Sequence, residues 1–282
     1  MNPDRSRIPA EPDFQACWQA LLDLREVTRT GPGPWQARGL TLYPDGRWDA
    51  AFHIEPHAAE GVDLLAPLIG APACVVGQLG QSLDGRIATV TGDSHYINAR
   101  AAREHLHRLR ALVDAVVVGV GTAEADRPQL TTRLVEGPSP ARVVIDPRGR
   151  MSPDGPLIKG GGPEVIQLVG PGVDVNGGLE SLRRVGIPMN ENGMAPTAIV
   201  SGLSRLGFKR ILIEGGANTV SRFVDADALD RLHLLIAPLL IGSGRSGLEL
   251  PPIESLADAR RPPMRAFSMG GELIVDLDLR DR

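Results

Sequence analysis

From about residue 72 onward, short runs rich in β-branched residues alternate with segments of helical pattern, and this alternation constrains the fold more than anything else in the chain. The runs CVVGQL (74–79), DAVVVG (114–119), ARVVID (141–146), PEVIQLV (163–169) and KRILIE (209–214) are continuous apolar stretches bounded by Gly, Pro or charge. Such runs are written for strands buried on both faces of a largely parallel sheet. Between the first two, NARAAREHLHRLRALV sets Ala102, Leu106, Leu109 and Val113 at offsets of four, three and four, the stripe of an amphipathic helix with Asn98 as its expected N-cap. Further helices are expected at 177–186 and about 197–206, with loops at 146–163 and 187–196. The last third reads as consecutive strands. RLHLLIAPLLIG is interrupted at Pro238, and RAFSMGGELIVDLDL turns at Gly270-Gly271 as a hairpin.

Residues 1–70 read as a separate N-terminal extension, and 71–282 as the main domain. The extension holds a helix-like FQACWQALLDLREV and a hairpin LTLYPDGRWDAAF turning at Pro44-Asp45-Gly46. His53 and His57 mimic a zinc pair, but Pro56 between them argues against a shared helix, and no metal site is expected. Cys17 and Cys74 have neither metal spacing nor a partner set. A net charge of −4 argues against a nucleic-acid surface, and the absence of a long apolar run argues against a membrane span. A small-molecule ligand and a cytoplasmic location are the expectations.

Two strands end alike, VVVGVGT (116–122) and ILIEGGANT (211–219), with glycines where a helix should open. A helix N-terminus presents unpaired N–H groups and partial positive charge, and glycine lets that backbone approach an anion. Gly119, Gly121, Gly215 and Gly216 therefore read as phosphate seats, or alternatively as tight strand-to-helix turns that need glycine for packing alone. Neither is a dinucleotide fingerprint, since Glu124 stands where the third glycine belongs. A third strand end, VVIDPRGR, carries Asp146 and then delivers Arg148 and Arg150 into a loop, where guanidinium groups suit the 2′-phosphate of NADP.

Together, GQSLDGRIATVTGDSHYINARAAREHLHRLRALVDAVVVGVGTAEADRPQLTTR, ARVVID and ILIEGGANTVSRFVDADALDRLHLLIAPLLIGSG resemble the reductase domain of the bacterial riboflavin-biosynthesis deaminase/reductase family. The likeness runs from about 72 to 278. It implies an α/β, dihydrofolate-reductase-like fold, with a mixed, mostly parallel sheet between helical layers (αβα). The implied activity is NADPH-dependent reduction of 5-amino-6-(5-phosphoribosylamino)uracil to its ribitylamino product, and the implied assembly a homodimer. For the cofactor, it implies that Gly80 lies beside the nicotinamide and that Tyr96 (usually Trp in the family), Thr122 and Asp126 make contacts. The stretch from Gly216 through Ala217, Asn218 and Thr219 to Arg222 then forms the diphosphate loop. For the substrate, it implies contacts from Ser94, Arg110, Leu130, Arg133 and Glu214, the arginines holding the ribose phosphate.

Arg103, His107 and Arg110 share one helical face by spacing; Arg103 and His107 are expected to meet water. Glu214 and Asp84 are the candidate proton donors, directly or through a water, although Glu214 could instead cap the neighbouring helix. Two departures stand out. The Pro-Cys-x-x-Cys of the family's fused zinc deaminase does not occur, so a stand-alone reductase is expected, and Gln78 occupies a position where the family often has Lys. A reductase of a dihydropterin or another heterocycle, and a non-catalytic NADPH-binding protein, are the alternatives.

Overall fold

The computed structural model describes residues 13–94, 97–176 and 182–280. The chain divides into two compact units, Met1–Pro72 and Ala73–Arg282.

In the first unit, α1 (Phe14–Val27) is capped by Asp13, whose carboxylate accepts from the Ala16 amide at 3.0 Å. Strands β1 (Trp35–Ala37), β2 (Leu40–Leu42) and β3 (Trp48–Ala50) form an antiparallel sheet, with the expected turn between the last two. Helix α2 (Pro56–Gly70) was not expected. Pro56 opens it instead of forbidding it, because the first helical N–H has no intrahelical partner to lose. Ala58, Val62, Leu65 and Ile69 then bury one stripe. His53 precedes this helix and His57 lies within it, so the two do not share a helical face. The triplet His53-Ile54-Glu55 has the His-x-Glu spacing of a zinc deaminase, yet Glu55 stands at the α2 N-cap, and no metal-holding cluster of His, Cys, Asp or Glu is found among the described residues.

The second unit runs β4 (Cys74–Ser82), β5 (Arg86–Ala88), α3 (Arg100–Leu112), β6 (Ala115–Gly119), α4 (Val120–Ala125), β7 (Ala141–Ile145), α5 (Pro156–Lys159) and β8 (Val165–Val169). It continues through β9 (Leu182–Gly186), β10 (Met189–Asn190), β11 (Gly193–Met194), α6 (Pro196–Arg205), β12 (Arg210–Glu214), α7 (Ala217–Asp225), β13 (Arg231–Ala237), β14 (Arg245–Ser246), β15 (Met264–Met269) and β16 (Glu272–Asp278). Nine strands form one sheet in the order β15-β16-β13-β4-β12-β6-β7-β8-β9. Pairing from β13 to β9 is parallel throughout, and the β16 pairs with β13 and β15 are antiparallel, giving the mixed, mostly parallel sheet. The β15–β16 turn is Gly270-Gly271 with φ of +58° and +87°, a pair of left-handed residues of the kind two-residue hairpins require.

Side chains alternate across this sheet. One face, with Val75, Leu79, Val117, Val143, Ile211 and Ile213, packs against Ile199 and Leu203 of α6 and Val220 and Phe223 of α7. The other carries Glu214, which meets Arg110 of α3. The result is three layers.

Four expectations need correction. Residues 182–186 are an edge strand and not helix, pairing in parallel with β8, while 177–181 lie outside the described residues. The 187–196 segment holds the β10–β11 hairpin, and the 146–163 loop contains the short helix α5. Asn98 does not cap α3: Ala99 is the cap residue, and the Asn98 amide donates to Leu235 O at 3.3 Å and Glu272 Oε1 at 3.2 Å.

Candidate active site

Strands β6 and β12 are neighbours and parallel, so their glycine-bearing C-terminal ends lie side by side at the edge where open α/β sheets hold ligands. Thr122 joins them, its hydroxyl accepting from the Gly216 amide at 3.3 Å. Gly215 has φ of +119°, outside the ordinary range of residues with a Cβ, and a Cβ there would stand 3.1 Å from Thr122 Oγ1. A Cβ on Gly119 would stand 2.9 Å from Thr219 Oγ1, so this position is closed by packing. Gly121 differs. Nothing lies within 4 Å of where its Cβ would be, and the residue is exposed.

A cleft of about 360 Å³ opens here, within the size range of small-molecule sites. Gly119, Gly121 and Thr122 line one side, and Gly216, Asn218 and Thr219 another. Ile145 at the end of β7 and Pro147 after it, with Met194 at the end of β11 and Pro196 at the start of α6, also line it. Sequence reasoning missed the Met194–Pro196 wall; the Asn-Gly pair at 192–193 was the available hairpin signal. Arg222 braces that wall, donating to Asn192 O at 3.1 Å and Met194 O at 2.8 Å.

The other expected site residues fall into separate groups. Arg110 and Glu214 are both buried and face each other: Nε of Arg110 donates to Oε2 at 3.1 Å and Nη2 to Oε1. Nη1 of Arg110 donates to the Thr131 carbonyl at 3.1 Å. The arginine expected on a phosphate is thus committed to the acid expected on the substrate, and Glu214 caps no helix. Gln78 sits in register between Glu214 on β12 and His233 on β13, so the residue standing for the family's Lys adjoins this pair.

Leu130 is buried with φ of +56°, and Arg133 is exposed, its Nη1 donating to Gln129 Oε1 at 2.6 Å. His107 is buried, contrary to the expectation of a solvated side chain, while Arg103 is exposed as expected. Burial, together with Arg110, Arg133 and Arg103, pushes the His107 pKa down to about 4.

Asp84 is a tether. It accepts from the Ser82 hydroxyl and from the amides of Gly242 at 2.6 Å and Ile241 at 3.1 Å, and the Ser82 bond, with the Gly242 amide next, holds its carboxyl down to about 2. A carboxylate so held stays ionised near neutrality. Asp146 is fully buried, with Oδ2 accepting from the Met151 amide and Gln167 Nε2, both at 2.7 Å. It staples the turn that exposes Arg148. Asp126 ends α4 as an exposed C-cap residue. Gly80 abuts Asn98, whose Oδ1 would lie 2.1 Å from a Cβ at that position. Ser94 is exposed, and Tyr96 lies outside the described residues. His105 and His233 are buried and stacked, His105 Nε2 lying 3.0 Å from His233 Nδ1.

The sequence model of the RibD C-terminal domain matches residues 73–266. The chain belongs to that family. It is 29% identical over 217 residues to the 2,5-diamino-6-ribosylamino-4(3H)-pyrimidinone 5′-phosphate reductase of Methanothermobacter thermautotrophicus, covering 73% of this chain and 98% of that protein. It is 30% identical over 211 residues to riboflavin biosynthesis protein RibD of Mycobacterium tuberculosis (strain H37Rv), covering 73% of this chain and 54% of that one. The chain therefore spans nearly all of the archaeal reductase but about half of the bacterial protein. Among solved structures, the deaminase/reductase of Thermotoga maritima aligns with a TM-score of 0.63 at 24% identity, over 80% of this chain and 63% of that one. Riboflavin biosynthesis reductase Rib7 of Saccharomyces cerevisiae aligns with a TM-score of 0.58 at 21% identity, over 73% and 89%. These two likenesses concern the fold. No helix among the described residues is long and apolar enough to cross a membrane.

Proposed function

We propose that this chain is a pyrimidine reductase of riboflavin biosynthesis that uses NADPH to reduce the ribosyl group of 5-amino-6-(5-phosphoribosylamino)uracil to the ribityl group. The observation that carries the reading is the cleft between the ends of β6 and β12, with the open backbone at Gly121 and the start of α7 on its walls. Amides and a helix N-terminus of this kind suit a diphosphate. The residues fit the cofactor: Gly121, Thr122 and Gly216 to Thr219 would hold the diphosphate, and Arg148 the 2′-phosphate. When bound, NADPH supplies the hydride.

The chain's own residues position. Arg133 presents a guanidinium for the substrate phosphate, a contact remote from the reacting C1′ that fixes the sugar in place. Glu214, with both oxygens held by Arg110, is a rigid acceptor for the pyrimidine face of the substrate. Aligning two reactants in this way is worth roughly 7 to 11 kcal/mol when the geometry is good.

A second substrate is favoured by one observation. The archaeal reductase that this chain matches over 98% of its length is named for the 2,5-diaminopyrimidinone and not for the uracil. The test is steady-state NADPH oxidation with each compound in turn. Turnover of either supports the reductase reading, and the larger kcat/KM names the substrate. NADPH binding without turnover of either pyrimidine would leave the non-catalytic reading, or that of a reductase for another heterocycle.

A further inference from the structure

The loop that carries Arg133 has little regular structure of its own. It runs from the end of α4 to β7, and Arg127 and Leu130 in it adopt positive φ of +45° and +56°, a region that residues with a Cβ seldom enter. Such backbone persists only when its surroundings over-determine it. Helix α3 supplies two of the restraints, from residues one turn apart. Arg110 Nη1 donates to Thr131 O at 3.1 Å, and His107 Nδ1 accepts the Arg133 amide at 2.8 Å, with the Leu134 amide at 3.4 Å. Ser139 holds the segment from within, its hydroxyl accepting from the Thr132 amide at 2.9 Å.

We infer that His107 is a positioning residue: as a ring-nitrogen acceptor it fixes the backbone at Arg133, and so sets where the Arg133 guanidinium meets the phosphate of the substrate. The inference rests on the reductase reading of the site. His107 is buried and the Arg133 side chain exposed, so the fixed and the ligand-facing parts of this contact are cleanly divided. To accept, Nδ1 carries no proton, which places the ring hydrogen on Nε2. The charged groups around the ring are all cationic, namely Arg103 and Arg110 on its own helix and Arg133 from the loop, and with burial they favour this uncharged form.

Two substitutions separate positioning from packing. His107→Leu keeps comparable bulk and removes the acceptor, whereas in His107→Asn the amide oxygen takes nearly the place of Nδ1. For His107→Leu, KM for the phosphorylated pyrimidine is expected to rise about tenfold or more, while KM for NADPH and kcat change less than about twofold; His107→Asn is expected to restore KM to near wild type. Hydrogen exchange in the absence of substrate gives an independent reading, with the Arg133 and Leu134 amides expected to lose protection in His107→Leu and regain it in His107→Asn. Unchanged exchange at those amides in folded His107→Leu, or equal rises in both KM values that His107→Asn fails to reverse, would overturn the assignment. Wild-type protein that turns over no pyrimidine would fail the reductase reading instead, with the exchange experiment still deciding what His107 holds.

Discussion

Replacing Gly121 by leucine separates a ligand seat from a packing glycine. Gly121 is exposed, has no positive φ, and has nothing within 4 Å of the Cβ position, so the protein itself offers no clash. It is the second residue of α4, where leucine is a better helix former than glycine by up to about 0.8 kcal/mol. The fold should therefore be unharmed or gain at most about 3 °C in Tm. A leucine side chain there stands in the cleft, where it would displace a phosphate from the amides. Losing one charge-assisted hydrogen bond of about 1.5 to 3 kcal/mol weakens NADPH binding roughly ten- to a hundredfold. Calorimetric titration with NADPH beside a thermal melt reads both quantities. An unchanged Kd in a fully folded Gly121→Leu protein would refute the assignment of this cleft to the diphosphate.

Other substitutions probe the remaining parts. Arg133→Ala should raise KM for the phosphorylated pyrimidine by at least tenfold with little change in KM for NADPH; equal effects on both would place Arg133 elsewhere in the reaction. Arg110→Met strands Glu214 as a buried unpaired charge and should destabilise the chain by about 3 to 5 kcal/mol in urea titrations, with much of the loss recovered in Arg110→Met/Glu214→Leu. Failure of the double substitution to recover stability would show that the Thr131 contact, and not the ion pair, dominates. His107 binds its proton less readily in the folded state, at about 4 against about 6.5 unfolded, so its contribution is complete above pH 6.5 and disappears as pH falls through 4. That contribution is about 3 kcal/mol at most, and the fall in Tm across this window should be shallower in His107→Asn; identical slopes would contradict it.

Much of the sheet was legible because strands such as β6, β7, β8 and β12 are continuous apolar runs, a pattern tied to burial on both faces. The paired glycine ends were legible for a related reason, since glycine at a strand-to-helix joint marks close backbone approach whatever the fold. What escaped depended on contacts distant in sequence. Residues 182–186 carry helix-forming Leu and Arg, but pairing with β8 overrides that weak preference, and Arg184 is held by Gln167 at 2.9 Å. The pairing of Arg110 with Glu214, 104 residues away, is a contact that helical spacing does not encode. The burial of His107 likewise follows from the loop folding over α3, which helical spacing alone does not encode.

The most direct test is a crystal structure of the protein soaked with NADPH. Diphosphate density is expected between Gly121–Thr122 and the 216–219 turn, with the 2′-phosphate beside Arg148. Cofactor bound away from the ends of β6 and β12, or a cleft that stays empty at saturating NADPH, would contradict it.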